Sequence, residues 1–450
     1  MKFAAKKLYA KKFADLVKAI PEISSVPDAL VNVEITGITA DSSKVKNGYI
    51  FFALKGEKTD GAKFIPQALQ NGAAFVVGEA GSGNREEGIY VKNPRLVLAK
   101  MAAAFYGRQP ENIVAVTGTD GKTSTADFFR QFMFLAGEKA ASVGTIGVIV
   151  TPLPATYMSR LIPEGEGTIG TLTTPDSVEL HRMLAELAED GVDYLAMEAS
   201  SHGLSQYRLD GVKLKAAAFT NIARDHLDYH KTEDEYFRAK SRLFGEVLPQ
   251  GAIAVLNQDD KRFPELAAIC KKRGHRIIGF GRKGSEFNLE SITPTGHGQH
   301  VKLSLFGKKY EVEIPLVGEF QVMNILAAMG LAVGCGADLK KLLANVGGLK
   351  GVSGRLELVV TTRNGATVFI DYAHTPMALE NILRTLRPHT QNKLSVVFGC
   401  GGDRDAGKRP LMGKAASELA DFAVITDDNP RSENPAAIRA AVLAGCAVKN

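Results

Sequence analysis

At 450 residues the chain is too long for a single hydrophobic core, and domains of ordinary size predict about three. Apolar side chains make up 45% of it, enough for globular packing throughout, yet no apolar run approaches the length that spans a bilayer, so no membrane insertion is expected. The net charge of +6 comes from Lys and Arg that are scattered rather than clustered, which points away from nucleic acid as a partner and leaves phosphorylated substrates compatible. The four cysteines, at 270, 335, 400 and 446, have neither C-x-x-C spacing nor disulfide density, the usage of a reducing compartment, and a cytoplasmic protein is expected.

Residues 1–108 read as a small α/β domain. Met1 to Ile20 alternates Lys with short apolar groups and lacks the apolar core of a signal peptide, so an amphipathic helix is expected there. Strand signals fall at Ile50 to Leu54 and Phe75 to Val77, and a helix is expected from Leu96 to Tyr106. Two polar loops beside strands, Ala40 to Ser43 and Gly56 to Gly61, read as turns, in places where ligand contacts often sit.

Residues 109–350 alternate strands and helices, which predicts a parallel sheet with helices on both faces and a ligand at the carboxyl ends of its strands. The β-branched run Ile113 to Val116 reads as a buried strand, and Ala126 to Leu135 as a helix with Phe128, Phe129 and Phe132 on its apolar side. Between them lies Gly118-Thr119-Asp120-Gly121-Lys122-Thr123-Ser124. Its glycines let the backbone approach a phosphate, its N–H groups and the helix start favour an anion, Lys122 adds a cation, and Thr123 offers a hydroxyl to Mg²⁺. This is a cradle for a nucleoside triphosphate, shortened relative to the usual P-loop because Val116 stands where the first glycine of that pattern falls.

Downstream, a helix over Ser177 to Asp190 and a strand over Asp193 to Met197 lead to Glu198. A carboxylate there is either a Mg²⁺ ligand facing the phosphates or the start of a surface loop. The strand Ala216 to Ile222 runs into Arg224-Asp225-His226-Leu227-Asp228-Tyr229-His230. His226 and His230 at i, i+4 suggest zinc, but no third ligand follows at zinc spacing, so the cluster reads equally as a metal site or a solvated loop. The helix Asp234 to Val247 carries Lys240 on the side of Tyr236, Phe237 and Phe244, and a lone helical lysine is normally solvent-exposed. Strands are expected over Ala252 to Leu256 and Arg276 to Phe280, β alternation over 286–316, and a helix from Gly318 to about Val333.

Residues 351–450 form the third domain. Its strands, Thr367 to Asp371, Leu394 to Phe398 and Phe422 to Ile425, each end in a charged loop rich in Gly or Pro, as in a doubly wound, Rossmann-like domain that holds a charged ligand. The loops are Asp371 to Pro376, Gly399 to Pro410 and Asp427 to Ser432; taken alone, the last reads more commonly as an Asx/Pro turn.

Taken together, Thr117 to Ser124, Met197 to Gly203, Thr220 to His230, Asp371 to Pro376 and Gly401 to Asp405 resemble, in order, the motifs of the Mur ligases, and the resemblance spans essentially the whole chain. It implies three α/β domains, a small UDP-substrate domain, a central ATPase domain and a Rossmann-like domain. It also implies an ATP-dependent amide ligase working through an acyl phosphate on a UDP-N-acetylmuramoyl dipeptide, with Mg²⁺. By the same resemblance Lys122 and the Gly118–Ser124 backbone hold the phosphates, Thr123 and Glu198 bind one Mg²⁺ and His226 a second, and Lys240 is the lysine that the family carbamylates to make a metal ligand. Asn324, Arg355, Asp371 and His374 correspond to base and ribose contacts. Ser42, Thr59, Thr173, Thr174, Ser200, Gln206 and Arg208 correspond to contacts with the UDP substrate. Arg404 and Asp428-Asn429-Pro430-Arg431 correspond to the amino-acid pocket. Members with that last motif resemble the meso-diaminopimelate adders, and Arg431 suits the distal carboxylate that lysine lacks. Lysine adders are the alternative.

The chain departs from the family in three places. Asp120 stands where an asparagine is usual and should weaken ATP binding unless it faces away, and Ser43 stands where an arginine is usual. The chain also stops at Asn450, before a Gly-Lys-Gly-His-Glu segment, so the third domain looks truncated and its last helix, Pro435 to Val448, is expected to have little to pack on. A working ligase, a weakly active binding protein and a plain P-loop NTPase therefore predict different conditions for phosphate release.

Overall fold

The computed structural model describes residues 9–24, 26–56, 59–82, 88–151, 172–223, 225, 227–295 and 298–447. By internal contacts the chain divides into two units, Met1–Gly279 with Ala327–Asp338, and Phe280–Leu326 with Leu339–Asn450.

The first unit begins differently from the helix expected over Met1 to Ile20. Residues 1–8 lie outside the described residues; beyond them Lys11–Lys12 pair in extended form with Glu34–Ile35, so the described helix there spans Phe13–Val17, with Phe13 and Leu16 buried. Four parallel strands follow in the order Gly37–Thr39, Tyr49–Phe52, Ala73–Glu79 and Gly88–Val91. Their apolar face packs on the helix Pro94–Tyr106 through Phe52, Phe75, Val97, Met101 and Phe105. That helix begins two residues before the expected start, because Asn93 caps it by accepting Leu96 N–H and Pro94 suits its first turn.

The larger sheet of this unit runs in the order Arg276–Gly281, Ile253–Asn257, Leu214–Phe219, Asn112–Thr117, Tyr194–Glu198, Ala140–Gly144 and Gly147–Thr151. Asn112–Thr117 is parallel to both its neighbours, and the Gly147–Thr151 edge is antiparallel to the strand beside it. Because chain order reverses on either side of Asn112–Thr117, a crevice opens at its carboxyl end, the general ligand position of open α/β sheets. The helix after it starts at Lys122, four residues before the expected start, and Gly121 at φ 81° forms its N-cap. Lys122, Thr123 and Ser124 are therefore its first turn, where backbone N–H groups lack intrahelical partners.

The second unit carries three antiparallel strands, Phe287–Pro294, Gln299–Leu305 and Lys308–Ile314, and the start of the helix Glu319–Gly334. Farther on, Thr367–Ile370 pairs antiparallel with Glu357–Thr361, and Ser395–Phe398 pairs parallel with Phe422–Ile425. The Glu357–Thr361 strand was not expected: its run Glu-Leu-Val-Val-Thr does not alternate, and Leu358, Val359 and Val360 are all exposed. The helices Pro376–Leu386, Lys408–Leu419 and Pro435–Leu443 share a core built on Leu379, Leu383, Met412, Ala416, Ile438 and Val442. The last helix is thus well packed, contrary to expectation. Gly413 and Gly445 allow the approach, since a Cβ at Gly413 would lie 2.0 Å from Val442 O and one at Gly445 1.8 Å from Pro410 O.

Candidate functional site

Three strand ends of the first unit converge on the phosphate-loop sequence. Asn112–Thr117 delivers Gly118 to Gly121, Tyr194–Glu198 ends on Glu198, and Leu214–Phe219 delivers Thr220 to Ala223. The loop is pinned by its backbone. Thr119 N–H donates to Asn221 O at 2.9 Å, Asp120 N–H to Asn221 Oδ1 at 3.0 Å, and the Thr220 hydroxyl to Asp120 O at 2.6 Å. Gly118, at φ 152°, accepts no side chain, for a Cβ would lie 1.9 Å from Thr220 Oγ1. Asp120 is exposed, with its backbone rather than its carboxylate tied into the loop.

Thr123 and Glu198 meet as expected. The Thr123 hydroxyl donates to Glu198 Oε1 at 2.9 Å, and Glu198 is 2% exposed. Thr145, which sequence reasoning missed, donates its N–H to the same oxygen at 2.8 Å and its hydroxyl to Oε2 at 3.2 Å. A side chain at Gly144 would strike the carboxylate, at 2.0 Å. A strand ending in Gly-Thr was the only signal for this contact.

Lys240 corrects the expectation of an exposed helical lysine. It is 1% exposed, its Nζ donates to Gly118 O at 2.7 Å, and it lies 4.4 Å from the centroid of the Tyr236 ring. Burial, and after it the Lys122 ammonium, hold its amine well below the usual lysine range, against opposing pulls from Asp225 and Asp120. Lys122 donates to Gly118 O at 3.0 Å and to Thr119 O at 2.7 Å, so two lysines share one carbonyl. Tyr236, one turn before Lys240, shares a hydrogen bond with Thr119 Oγ1 at 3.2 Å, and burial pushes its phenol up to about 12. Thr119 Oγ1 also accepts Ala223 N–H at 2.9 Å. Lys240 belongs to a helix, Glu233–Arg242, that continues as a π-helical turn, Leu243–Val247, within the single helix expected. His226 lies outside the described residues, and so does Arg224. His230 is buried, with its ring 5.5 Å from His202 and 5.4 Å from Tyr236. Among the described residues no three His, Cys, Asp or Glu side chains gather as a metal site.

Most of the expected UDP-substrate contacts form one network beside Glu198. Thr174 Oγ1 donates to Glu198 O at 2.8 Å and lies 3.0 Å from Ser200 Oγ, while Thr173 Oγ1 accepts from Thr145 at 3.2 Å. Arg208 donates to Thr174 O at 2.6 Å and to Gln206 Oε1 at 2.7 Å. Burial lowers its guanidinium from the usual range. Ser42 and Thr59 lie apart, in connections between strands of the small sheet, where the Ser42 hydroxyl donates to Gln67 and Thr59 is exposed. Ser43, at the position of the missing cation, donates to Asp41 Oδ1 through its hydroxyl at 2.7 Å and its N–H at 3.0 Å.

The remaining expected residues belong to the second unit. Asp371 accepts the N–H groups of Leu356 at 2.7 Å and Ala373 at 2.8 Å, and burial raises its pKa against those bonds. Arg355 lies over the Tyr372 ring at 5.2 Å, His374 Nδ1 is 3.1 Å from Tyr372 O, and Asn324 is buried. Arg404, Asp428, Asn429 and Arg431 are exposed and Pro430 is half-buried on the two loops after Ser395–Phe398 and Phe422–Ile425.

Comparison with known proteins gives the same order of domains. The family models described as Mur ligase family catalytic domain, Mur ligase middle domain, and Mur ligase glutamate ligase domain match residues 34–106, 116–332 and 354–450. A protein of Rhizobium meliloti (strain 1021) named UDP-N-acetylmuramoyl-L-alanyl-D-glutamate--2,6-diaminopimelate ligase is 48% identical over 439 residues, 96% of this chain and 87% of its own length. One of the same name from Caulobacter vibrioides (strain ATCC 19089 / CIP 103742 / CB 15) is 47% identical over 431 residues, 95% of this chain and 87% of its own. A solved structure carrying that enzyme name superposes with a TM-score of 0.75 at 32% identity, covering 96% of this chain and 86% of the other. With three domain matches in sequence and close relatives along nearly its whole length, the chain belongs to the Mur ligase family.

Proposed function

We propose that this chain adds meso-diaminopimelate to UDP-N-acetylmuramoyl-L-alanyl-D-glutamate, at the expense of ATP, in peptidoglycan precursor synthesis. The observation that carries the reading is the convergence of Lys122, Thr123, Glu198 and Lys240 on one glycine loop at the sheet's reversal point. The names of the relatives supply the two substrates, and Arg431 on its exposed loop suits a second carboxylate. We divide the chain into a UDP-substrate domain (1–108), an ATP-binding domain (109–350) and an amino-acid-binding domain (351–450). No helix of the described residues is long and apolar enough to cross a membrane, and a cytoplasmic location is part of the proposal.

The chemistry follows from the groups present. An oxygen of the dipeptide's carboxylate attacks the γ-phosphorus of ATP, ADP leaves, and an acyl phosphate forms. The free amine of the amino acid then attacks the acyl carbon, a tetrahedral intermediate collapses, and inorganic phosphate leaves with an amide in place. Lys122 and the N–H groups of the first helical turn stabilise charge on the transferring oxygens. The network of Thr173, Thr174, Ser200, Gln206 and Arg208 orients the acyl acceptor beside Glu198. In the second unit, Asn324, Arg355, Asp371 and His374 are read as nucleotide contacts and Arg404 with Asp428 to Arg431 as amino-acid contacts.

The donor set fits Mg²⁺, which takes a few carboxylate or hydroxyl oxygens and completes its shell with phosphates and water. Thr123 and Glu198 would hold one ion, and Lys240, once carbamylated, would hold another with His226. Bound Mg²⁺ would neutralise phosphate charge. A neutral buried amine is the form that adds CO₂, and the environment of Lys240 favours that form.

Phosphate release tests the reading. It should require ATP, the UDP-dipeptide and diaminopimelate together, and lysine should replace diaminopimelate poorly. Release with ATP alone, or better turnover with lysine, would overturn it.

A further inference from the structure

The two loops read as the amino-acid pocket are cross-tied by residues outside its motif. Arg409 is 5% exposed, and its guanidinium grips Glu433 at both oxygens, Nη1 to Oε2 at 2.9 Å and Nη2 to Oε1 at 2.7 Å. Glu433 Oε1 also accepts Asp403 N–H at 2.6 Å. The Asp403 carboxylate in turn accepts the Ser432 N–H at 3.1 Å and hydroxyl at 2.6 Å. Gly402 N–H donates to Asn429 O at 3.1 Å, and Arg431 Nη1 donates back to Gly402 O at 2.7 Å. Gly402 has no room for a side chain, since a Cβ would lie 1.8 Å from Pro430 O.

Within this lock three non-glycine residues hold left-handed backbones: Asp403 at φ 52°, Asn429 at φ 38° and Arg431 at φ 48°. Side chains disfavour that region, so such conformations persist only where the surroundings over-determine them. The surroundings here are the bonds just described, and every one depends on the two loops staying in register. Arg409 is the buried side chain among those ties, and Glu433 is half-buried.

We propose that Arg409 and Glu433 are positioning residues for amino-acid specificity, holding the Arg431 backbone in its left-handed conformation. With Nη1 engaged on Gly402, the guanidinium keeps its other donors for the second carboxylate of a diamino diacid. An ion pair with Arg409 covered and Glu433 half-buried serves this better than an apolar contact because it fixes both loops by direction as well as by distance. The proposal rests on the reading of Asp428 to Arg431 as the amino-acid pocket.

The test compares kcat/KM for meso-diaminopimelate and lysine in the unaltered chain, in Glu433→Ala, in Arg409→Met/Glu433→Leu and in Arg431→Ala. The double variant leaves no unpaired guanidinium in the core, and so separates loss of positioning from loss of folding. In Glu433→Ala and the double variant, the diaminopimelate KM should rise by about tenfold or more, with the ATP KM unchanged. Their preference for diaminopimelate over lysine should fall as far as it does in Arg431→Ala. A double variant that folds and keeps the unaltered preference would overturn the inference alone. An unaltered chain that prefers lysine would instead overturn the pocket reading on which it rests.

Discussion

A lysine amine that is 1% exposed has lost nearly all its hydration, and one carbonyl bond does not restore what a cation needs. Lys240 is therefore costly to keep as a structural residue and chemically useful as a neutral amine. Lys240→Ala should lower turnover by about 100-fold or more, the scale of removing one preorganised charge from a transferring group. Acetate or formate should restore part of the loss by supplying the carboxylate oxygens of the missing carbamate. Steady-state rates with and without added carboxylate check both points, and near-native turnover of the variant would remove Lys240 from the mechanism. The sequence pattern around Lys240 suggested its role only by resemblance. Its burial could not be read there, because the Gly118 carbonyl that holds it lies 122 positions away.

Elements differ in how much their own residues reveal. The Asn112–Thr117 strand, the loop and the helix after it were legible because phosphate chemistry there is written in consecutive residues, whereas the start of the helix was misjudged because Gly121 caps it through its backbone. The Glu357–Thr361 strand was missed because its pairing with Thr367–Ile370 is set by the hairpin and not by a buried face. Another helix carries a pH response. On Ser177–Glu189, His181 is 1% exposed, its Nε2 donates to Asp210 O at 3.0 Å, and its Nδ1 has no partner among the described residues. Burial pushes its pKa down to about 4, against the backbone bond, from an ordinary value of 6.5. The folded chain thus keeps His181 neutral where the unfolded chain takes up a proton. Stability is unaffected above pH 6.5 and is lost as pH falls from 6.5 toward 4, by at most about 1.4 kcal/mol per pH unit. His181→Gln retains a donor for Asp210 O without titrating. Urea unfolding between pH 7 and pH 4.5 should therefore show a shallower acid loss in the variant, and equal slopes would exclude His181 as the source.

At the scale of the molecule, the division into two contact units predicts more than one cooperative transition. Leu383 is 2% exposed in the core of the second unit, and Leu383→Ala should cost about 2–5 kcal/mol. Calorimetry should show one transition moving down and the other staying in place. A single transition that shifts as a whole would mean that the chain melts as one body. The Gly118 and Gly144 positions add a consequence for inhibitor design. Each lies so close to a group of the site, Thr220 in one case and Glu198 in the other, that any replacement displaces the machinery itself. A compound that reads the backbone at these two glycines, rather than the side chains around them, addresses positions where escape by substitution is closed to the organism.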